Sequence, residues 1–292
     1  MSTPVTITKA SGERELWDEG KLRRSLLAAR ATKEMIEEII RHIEKDLRDG
    51  ISTHAIYTHA FQLLKDRSRP VAAQYSLKKA IMELGPSGFP FEQFIAEILK
   101  AEGYRTQVGV IVPGKCVEHE VDVIAEKTGE RILVEAKYHN SSEIKSDVKV
   151  ALYVHARFED IQKRLEESAA GIGFFTRAWL ITNTSFTSQA IQYAKCVDLA
   201  LTGWNYPKGH TLQDIVQKTQ THPITSLTTL SKNQKTALLQ SGVVLCNDIL
   251  DNPDPLVAIG MGKTHITSVM AEGRQLCPIN IKDISQDKSK GV

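Results

Sequence analysis

Residues 118–139 read E-H-E-V-D-V-I-A-E-K-T-G-E-R-I-L-V-E-A-K-Y-H, and the rest of the chain is best understood outward from them. Two alternating segments, 120–126 and 131–138, flank the polar run Lys127-Thr128-Gly129-Glu130, whose glycine can take the positive φ of a tight turn. The pattern predicts a β-hairpin. With the turn centred on Thr128-Gly129, Asp122 faces Glu135 and Glu120 faces Lys137. Strand alternation then gathers these four on one face and sets Val121, Val123, Val134 and Ala136 on the other.

Opposed carboxylates repel, so a strand pair built for stability alone would not set Asp122 against Glu135. A hard divalent cation reconciles the charge. Oxygen ligands select Mg²⁺ or Mn²⁺, and such an ion keeps several waters, one of which can become a nucleophile. Lys137 is then placed to orient or stabilise charge at a phosphate. The same spacing also suits a solvated sheet face with a Glu120–Lys137 cross-strand pair, and the motif alone does not choose.

The D-(x)12-E-A-K arrangement of Asp122, Glu135 and Lys137 resembles the PD-(D/E)-X-K nuclease core, without the proline before Asp122. Upstream, Gly88-Phe89-Pro90-Phe91-Glu92 opens a helix with apolar residues at Phe91, Phe94, Ile95, Ile98 and Leu99, ending at Gly103. In Mrr-type restriction endonucleases and archaeal Holliday-junction resolvases a similar helix carries a glutamate that helps hold the metal, and Glu92 occupies that place. A first-turn acid complementing the helix dipole would look the same. Downstream, 178–183 reads as a buried strand, 187–196 as a helix and 197–202 as another strand. This order resembles the closing half of the Mrr-type fold, so the likeness spans about residues 86–210. It implies a mixed sheet flanked by helices, DNA as substrate, and a metal held by Asp122, Glu135 and Glu92, with Glu120 as an outer carboxylate.

The chain has 292 residues, 41% hydrophobic and 25% charged, which suits a soluble protein of two or three domains. No apolar run reaches the roughly 18 residues of a membrane span, and the start M-S-T-P-V-T lacks the regions of a signal peptide. The cytoplasm is the expected location. Cys116, Cys196, Cys246 and Cys277 form no C-x-x-C, so reduced, mostly buried thiols are expected. A formal charge of +2 permits nucleic-acid binding without requiring it.

At the N-terminus, residues 5–20 alternate around Ala10-Ser11-Gly12, predicting a hairpin that runs into a helix capped by Asp18. Further helices follow. Leu22, Leu26 and Leu27 make one stripe, and Met35, Ile36, Ile39, Ile40 and Ile43 a second, stopped by Asp49-Gly50. A third, capped by Ser52 or Thr53, includes Ile56, Ala60 and Leu64, and a fourth spans 70–84 before Gly85-Pro86. The order resembles the ATP cone, the nucleotide-sensing domain at the start of many ribonucleotide reductases. The matching residues include Val5, Lys9, Gly12, Glu15, Trp17-Asp18, Lys21, Gly50-Ile51-Ser52-Thr53, Ile56 and Lys78-Lys79. By resemblance, Lys9 and Lys21 would contact triphosphate, and Val5, Glu15, Thr53 and Ile56 would line the nucleotide. Ala10 stands where the family usually has an arginine, which would weaken affinity. No G-x-x-x-x-G-K-[ST] is present, so ATP or dATP is expected as a regulatory ligand rather than a fuel. A helical oligomerisation or docking domain remains the alternative.

A charged helical stretch at 146–168 offers Tyr153, His155, Arg157, Lys163 and Arg164, to which no role is assigned. Gln189 and Tyr193 are candidates to support the metal-binding acids. Beyond Thr211 short helices joined by glycine turns resemble tandem helix-hairpin-helix modules. There Gly260, Met261 and Gly262 would let backbone N–H groups meet a DNA phosphate, with Lys263 adding charge. Residues 218–281 carry five Lys/Arg and four Asp/Glu, so a protein-binding role suits this segment nearly as well. The expected layout is a mostly α ATP-cone-like domain (1–85), an α/β nuclease core (86–210), an all-α helical domain (211–281) and a polar tail (282–292). The expected function is a metal-dependent DNA endonuclease, a homodimer or higher homo-oligomer where both strands are cut. The alternatives are a catalytically silent nucleotide-responsive DNA-binding regulator and a junction-selective resolvase.

Overall fold

The computed structural model describes residues 5–9, 11–167 and 174–277. Ala10, Ser168 and the polar tail lie outside the described residues. The N-terminal hairpin is β1 (Thr6–Thr8) and β2 (Arg14–Leu16), followed by α1 (Glu19–Ala28), α2 (Lys33–Asp46), β3 (Ile51–Ser52), α3 (Thr53–Arg67), α4 (Arg69–Tyr75) and α5 (Leu77–Met82). β3 pairs parallel with β1, closing a three-stranded sheet in the order β2-β1-β3. The isoleucines of α2 at 36, 39, 40 and 43 are buried, the spacing of one helical face, and with Leu22, Leu26, Ile56, Ala60 and Leu64 they form this domain's core.

Three local expectations change here. Asp18 occupies the N-cap of α1 but makes no capping bond; its carboxylate faces Arg24 at 3.6 Å instead. α2 ends at Asp46, before the Asp49-Gly50 turn; the cap of α3 is Ser52, one of the two candidates, accepting from Ala55 N at 3.0 Å. The expected fourth helix is two, broken at Ser76, whose hydroxyl donates to the Ala73 carbonyl at 3.2 Å and so competes with the regular helical pattern.

The middle of the chain runs α6 (Phe89–Ala101), β4 (Arg105–Pro113), β5 (Glu118–Lys127), β6 (Glu130–Lys137), β7 (Lys145–Ser146), α7 (Val148–Glu167), β8 (Arg177–Thr182), β9 (Ser185–Phe186), α8 (Ser188–Cys196) and β10 (Ala200–Thr202). The five-stranded sheet has the order β10-β8-β6-β5-β4, antiparallel among β4, β5 and β6 and parallel from β6 to β10. It is therefore mixed, with helices on both faces. α6 packs on one side over Val123, Ile132, Val134 and Trp179, and α7 with α8 covers the other over Val121, Ile124, Leu133 and Leu180. β4, the edge strand, has no counterpart in the sequence reading.

The hairpin register is the one expected from a Thr128-Gly129 turn: Lys127 pairs with Glu130 and Val123 with Val134. The ladder ends there. Gly109, opposite this point in β4, has φ +63°, a left-handed conformation that disrupts the pleat. Alternation consequently slips. Val121 packs with Ile124 and Leu133 rather than sharing a face with Val123.

The C-terminal part comprises α9 (Leu212–Thr219), α10 (Lys232–Gln240), α11 (Asp254–Ala258) and α12 (Lys263–Leu276), with single 3-10 turns at Ile224–Ser226 and Asn247–Ile249. Thr211 with Asp214, and Ser231 with Gln234, form capping boxes that start α9 and α10. α9 buries Leu212, Ile215 and Val216 in the central core beside α6. The remaining helices enclose their own core, in which Leu227, Leu238, Leu256 and Val269 meet. Glu272 of α12 is 3% exposed and accepts from Thr228 N, Thr228 Oγ1 and Thr229 N at 2.9, 2.7 and 2.9 Å, pinning the last helix to the preceding loop. Cys246 and Cys277 are buried but Cys116 and Cys196 are exposed, so the thiols are only half buried rather than mostly so.

Candidate active site

The end of the regular β5–β6 ladder brings the acidic residues together. Where a backbone pair would follow Val123–Val134, the Asp122 side chain takes over, its Oδ2 accepting from Ala136 N at 2.7 Å. Among the described residues Oδ1 has no hydrogen-bond partner, so it is the oxygen left for a ligand. Glu135 lies in β6, in register with Leu180 of β8, and Lys137 with Thr182. The parallel neighbour thus fixes both.

Glu92 approaches from the other side of the sheet, in the first turn of α6. Its pKa is pushed up to about 7, first by burial and then by Asp122, Glu120 and Glu135. Asp122 is also raised, chiefly by burial, although the Ala136 N–H and Arg157 pull it the other way. Glu135 is raised by burial and then by Asp122, against the lowering influence of Arg157 and Lys137. Burial thus raises all three acids, and the charge of Asp122 adds to the rise of both Glu92 and Glu135. Lys137 is exposed and forms no ion pair with Glu120, so the cross-strand pair of the alternative, solvated-face reading is absent.

One residue to which the sequence reading assigned no role joins this cluster. Arg157 of α7 is 8% exposed; its guanidinium donates to Glu135 Oε2 and to Tyr153 Oη, the latter at 2.5 Å, and lies over the Tyr153 ring at 4.6 Å. Its position was legible. α7 buries Ala151, Val154, Arg157, Ile161 and Leu165, so the arginine falls on the apolar stripe, where a cation must have a partner. Tyr193 hydrogen-bonds His155 at 2.9 Å and Gln189 is exposed, so neither supports the acids directly.

Among the described residues no group of three or more His, Cys, Asp and Glu stands as a ready-made cation cage. The donor set nevertheless fits Mg²⁺ or Mn²⁺. All three donors are carboxylates, the charge they carry is undercompensated, and Mg²⁺ is held by one or two protein carboxylates with waters completing its shell.

The segment after Lys137 is anchored from two directions. Asn183 accepts from His139 N and donates to His139 O, both at 2.8 Å, extending the sheet by a side chain. Tyr138 Oη donates to Met82 O, at the end of α5, at 2.5 Å. This joins the N-terminal domain to the residue beside Lys137.

In that domain Lys9 and Lys21 converge on Glu15, at 3.1 and 2.9 Å, and Lys9 also meets Glu13 at 3.0 Å. Lys21 and then Lys9 hold the Glu15 carboxyl below the usual range. Val5 sits beside β1, its carbonyl accepting from Trp17 N, while Thr53 opens α3 and Ile56 is buried one turn on. At the far end Gly260 has φ +76°, Gly262 is the N-cap of α12 and Lys263 its first residue; Gly262 and Lys263 are both exposed.

Residues 85–202 match the restriction endonuclease family of the Mrr type, residues 5–82 the ATP cone domain, and residues 222–277 the AF1548-like C-terminal domain. An uncharacterized protein of Archaeoglobus fulgidus is 36% identical over 183 residues, covering 62% of this chain and 99% of that relative. The crystal structure of a protein of unknown function, AF1548, aligns with a TM-score of 0.53 at 34% identity, covering 65% of this chain and 98% of the other.

Proposed function

This chain belongs to the AF1548-like family and joins a restriction endonuclease domain to an ATP cone, and on that premise we propose that it is a Mg²⁺- or Mn²⁺-dependent DNA endonuclease adjusted by ATP or dATP. The observation that carries the reading is the cluster of Glu92, Asp122 and Glu135, three carboxyls raised first by burial, with Asp122 and Glu135 adding to the rise of Glu92 and Asp122 to that of Glu135, beside the exposed Lys137.

Asp122 and Glu135, with Glu92, would hold the ion, which when bound supplies an electrophile for the phosphodiester and lowers the pKa of a coordinated water. The protein's own residues do the rest. Asp122, fixed by the Ala136 N–H, presents one oxygen in a set direction, and Arg157 fixes the rotamer of Glu135. Lys137 orients the attacking water or stabilises the added charge on the phosphate as the 3′ oxygen leaves. Glu120 serves as an outer carboxylate.

Lys9, Lys21, Glu15, Val5, Thr53 and Ile56 form the proposed nucleotide site. The Tyr138–Met82 hydrogen bond offers a physical route from that domain to the Lys137 strand. The exposed start of α12, with Gly260, Gly262 and Lys263, is the proposed contact to a DNA phosphate. A homodimer supplies the two sites that double-strand cleavage needs. Among the described residues no helix is long and apolar enough to cross a membrane, and the proposed setting is the cytoplasm.

The test compares linear duplex with a four-way junction, each with Mn²⁺, for the wild type and Lys137→Ala. Duplex cleavage lost in the variant supports the endonuclease, and cleavage confined to the junction supports the resolvase. Binding without cleavage of either substrate supports the silent regulator.

A further inference from the structure

A crevice of about 170 Å³ separates the N-terminal domain from the C-terminal helices, away from both the Lys9–Glu15–Lys21 cluster and the acidic site. α3 contributes Tyr57, Phe61 and Lys65, spaced four apart and so on one helix face. The two rings stack, with centroids 6.3 Å apart and planes 12° from parallel, and form an apolar wall that ends in the Lys65 amine. From α5 come Lys79 and, just beyond it, Glu83; from the C-terminal helices come Ser226 and Lys235.

The charge balance is uneven, with three lysines facing one glutamate. Lys235 and Glu83 neutralise each other at 3.2 Å. Lys65 and Lys79 have no hydrogen-bond or ion-pair partner among the described residues. A lysine in the last turn of a helix complements the dipole wherever it points, so one such residue carries no inference. Here two unpaired amines from different helices meet at one crevice. A second observation points the same way: Ser226, which lines the crevice and is only 2% exposed, has an Oγ without any hydrogen-bond partner. A buried hydroxyl is rarely left unsatisfied, and an oxyanion would supply its acceptor.

We propose that this crevice binds a small phosphate-bearing anion, which ties the ATP cone to the C-terminal domain. Two ammonium groups and a hydroxyl donate to its oxygens, and none of these three donors has an acceptor among the described residues. The volume suits one phosphate or pyrophosphate and excludes a duplex. Because Lys65 and Lys79 lie on one side and Ser226 on the other, the bound anion adds a bridge between domains that already meet here through the Lys235–Glu83 pair, the bond from Thr225 Oγ1 to Ala80 O at 2.6 Å and the bond from Arg69 to Thr228 Oγ1 at 3.2 Å.

The test is calorimetric titration of the full chain with inorganic pyrophosphate and, separately, with a short DNA duplex. Wild type, Lys65→Gln/Lys79→Gln, Ser226→Ala and Lys9→Ala are compared, with the fold of each checked by thermal unfolding. Pyrophosphate affinity falls at least tenfold in the double variant and several-fold in Ser226→Ala, and a pyrophosphate binding event survives in Lys9→Ala. The proposal is overturned by no pyrophosphate binding at millimolar concentration, or by equal binding in wild type and the double variant. It is also overturned if Lys9→Ala alone abolishes binding, which would place the anion on the cone's sheet, or if the lysines matter only for the duplex.

Discussion

Replacing Glu92 by glutamine should remove a pH dependence of stability that the acidic cluster builds into the fold. In the folded protein the Glu92 carboxyl is pushed up to about 7, mainly by burial and then by the neighbouring acids, whereas in the unfolded chain it returns to the ordinary glutamate range near 4.5. The folded state therefore binds the extra proton between those values, and stability must fall as pH rises through that window. Taken at full weight, a gap of this size is worth roughly 3 kcal/mol. Because Glu92 is only half-buried, solvent screening reduces this to about 1–2 kcal/mol. Glutamine keeps the shape and carries no charge. Urea unfolding without divalent metal at pH 5 and pH 8 measures the effect. The wild type should lose about 1–2 kcal/mol more than Glu92→Gln over that interval. Adding Mg²⁺ at pH 8 should return part of the loss, because a cation then compensates the carboxylate. Equal pH slopes in the two proteins, with or without metal, would refute the electrostatic coupling of Glu92 to Asp122, Glu120 and Glu135.

Arg157→Met strands Glu135 and should cost about 3 kcal/mol in urea unfolding, whereas Arg157→Met/Glu135→Gln should be less destabilised than the single variant; strict additivity would contradict a paired role. Gly109→Ala meets no atom within 4 Å, so its cost is purely backbone, about 1–2 kcal/mol at φ +63°, and an unchanged midpoint would mean that the strand relaxes. Tyr138→Phe removes the bond to Met82 O and should lower stability by about 1 kcal/mol. The same variant should blunt any effect of ATP on cleavage, and a full nucleotide response in it would exclude this route.

The hairpin was legible because period-two alternation and a Thr-Gly turn fix register locally, and the register through Val123–Val134 follows from them. Its continuation was not. The left-handed Gly109 sits on a strand that pairs across a separate loop, opposite the point where Val121 and Val123 part to different faces. Asp122, Glu135 and Glu92 were nameable from spacing and resemblance, whereas their mutual influence on ionisation depends on burial that no linear pattern records. Arg157 was visible as a cation on an apolar stripe, yet its partner is 22 residues away and required the fold. The break of the fourth helix turns on one serine hydroxyl, too local a feature for a periodicity reading of residues 70–84. Contacts between domains, such as Tyr138 with Met82 or Lys235 with Glu83 across their crevice, arise only from packing.

The central claim is that Asp122, Glu135 and Lys137 form a working nuclease site, and plasmid cleavage tests it most directly. Supercoiled plasmid is incubated with the purified chain and Mg²⁺ or Mn²⁺, with and without ATP or dATP, beside Lys137→Ala, whose exposed side chain can be removed without disturbing the core. Metal-dependent cleavage that falls at least about a hundredfold in the variant is the predicted result. Cleavage that persists in Lys137→Ala, or that proceeds equally in excess chelator, would contradict the account.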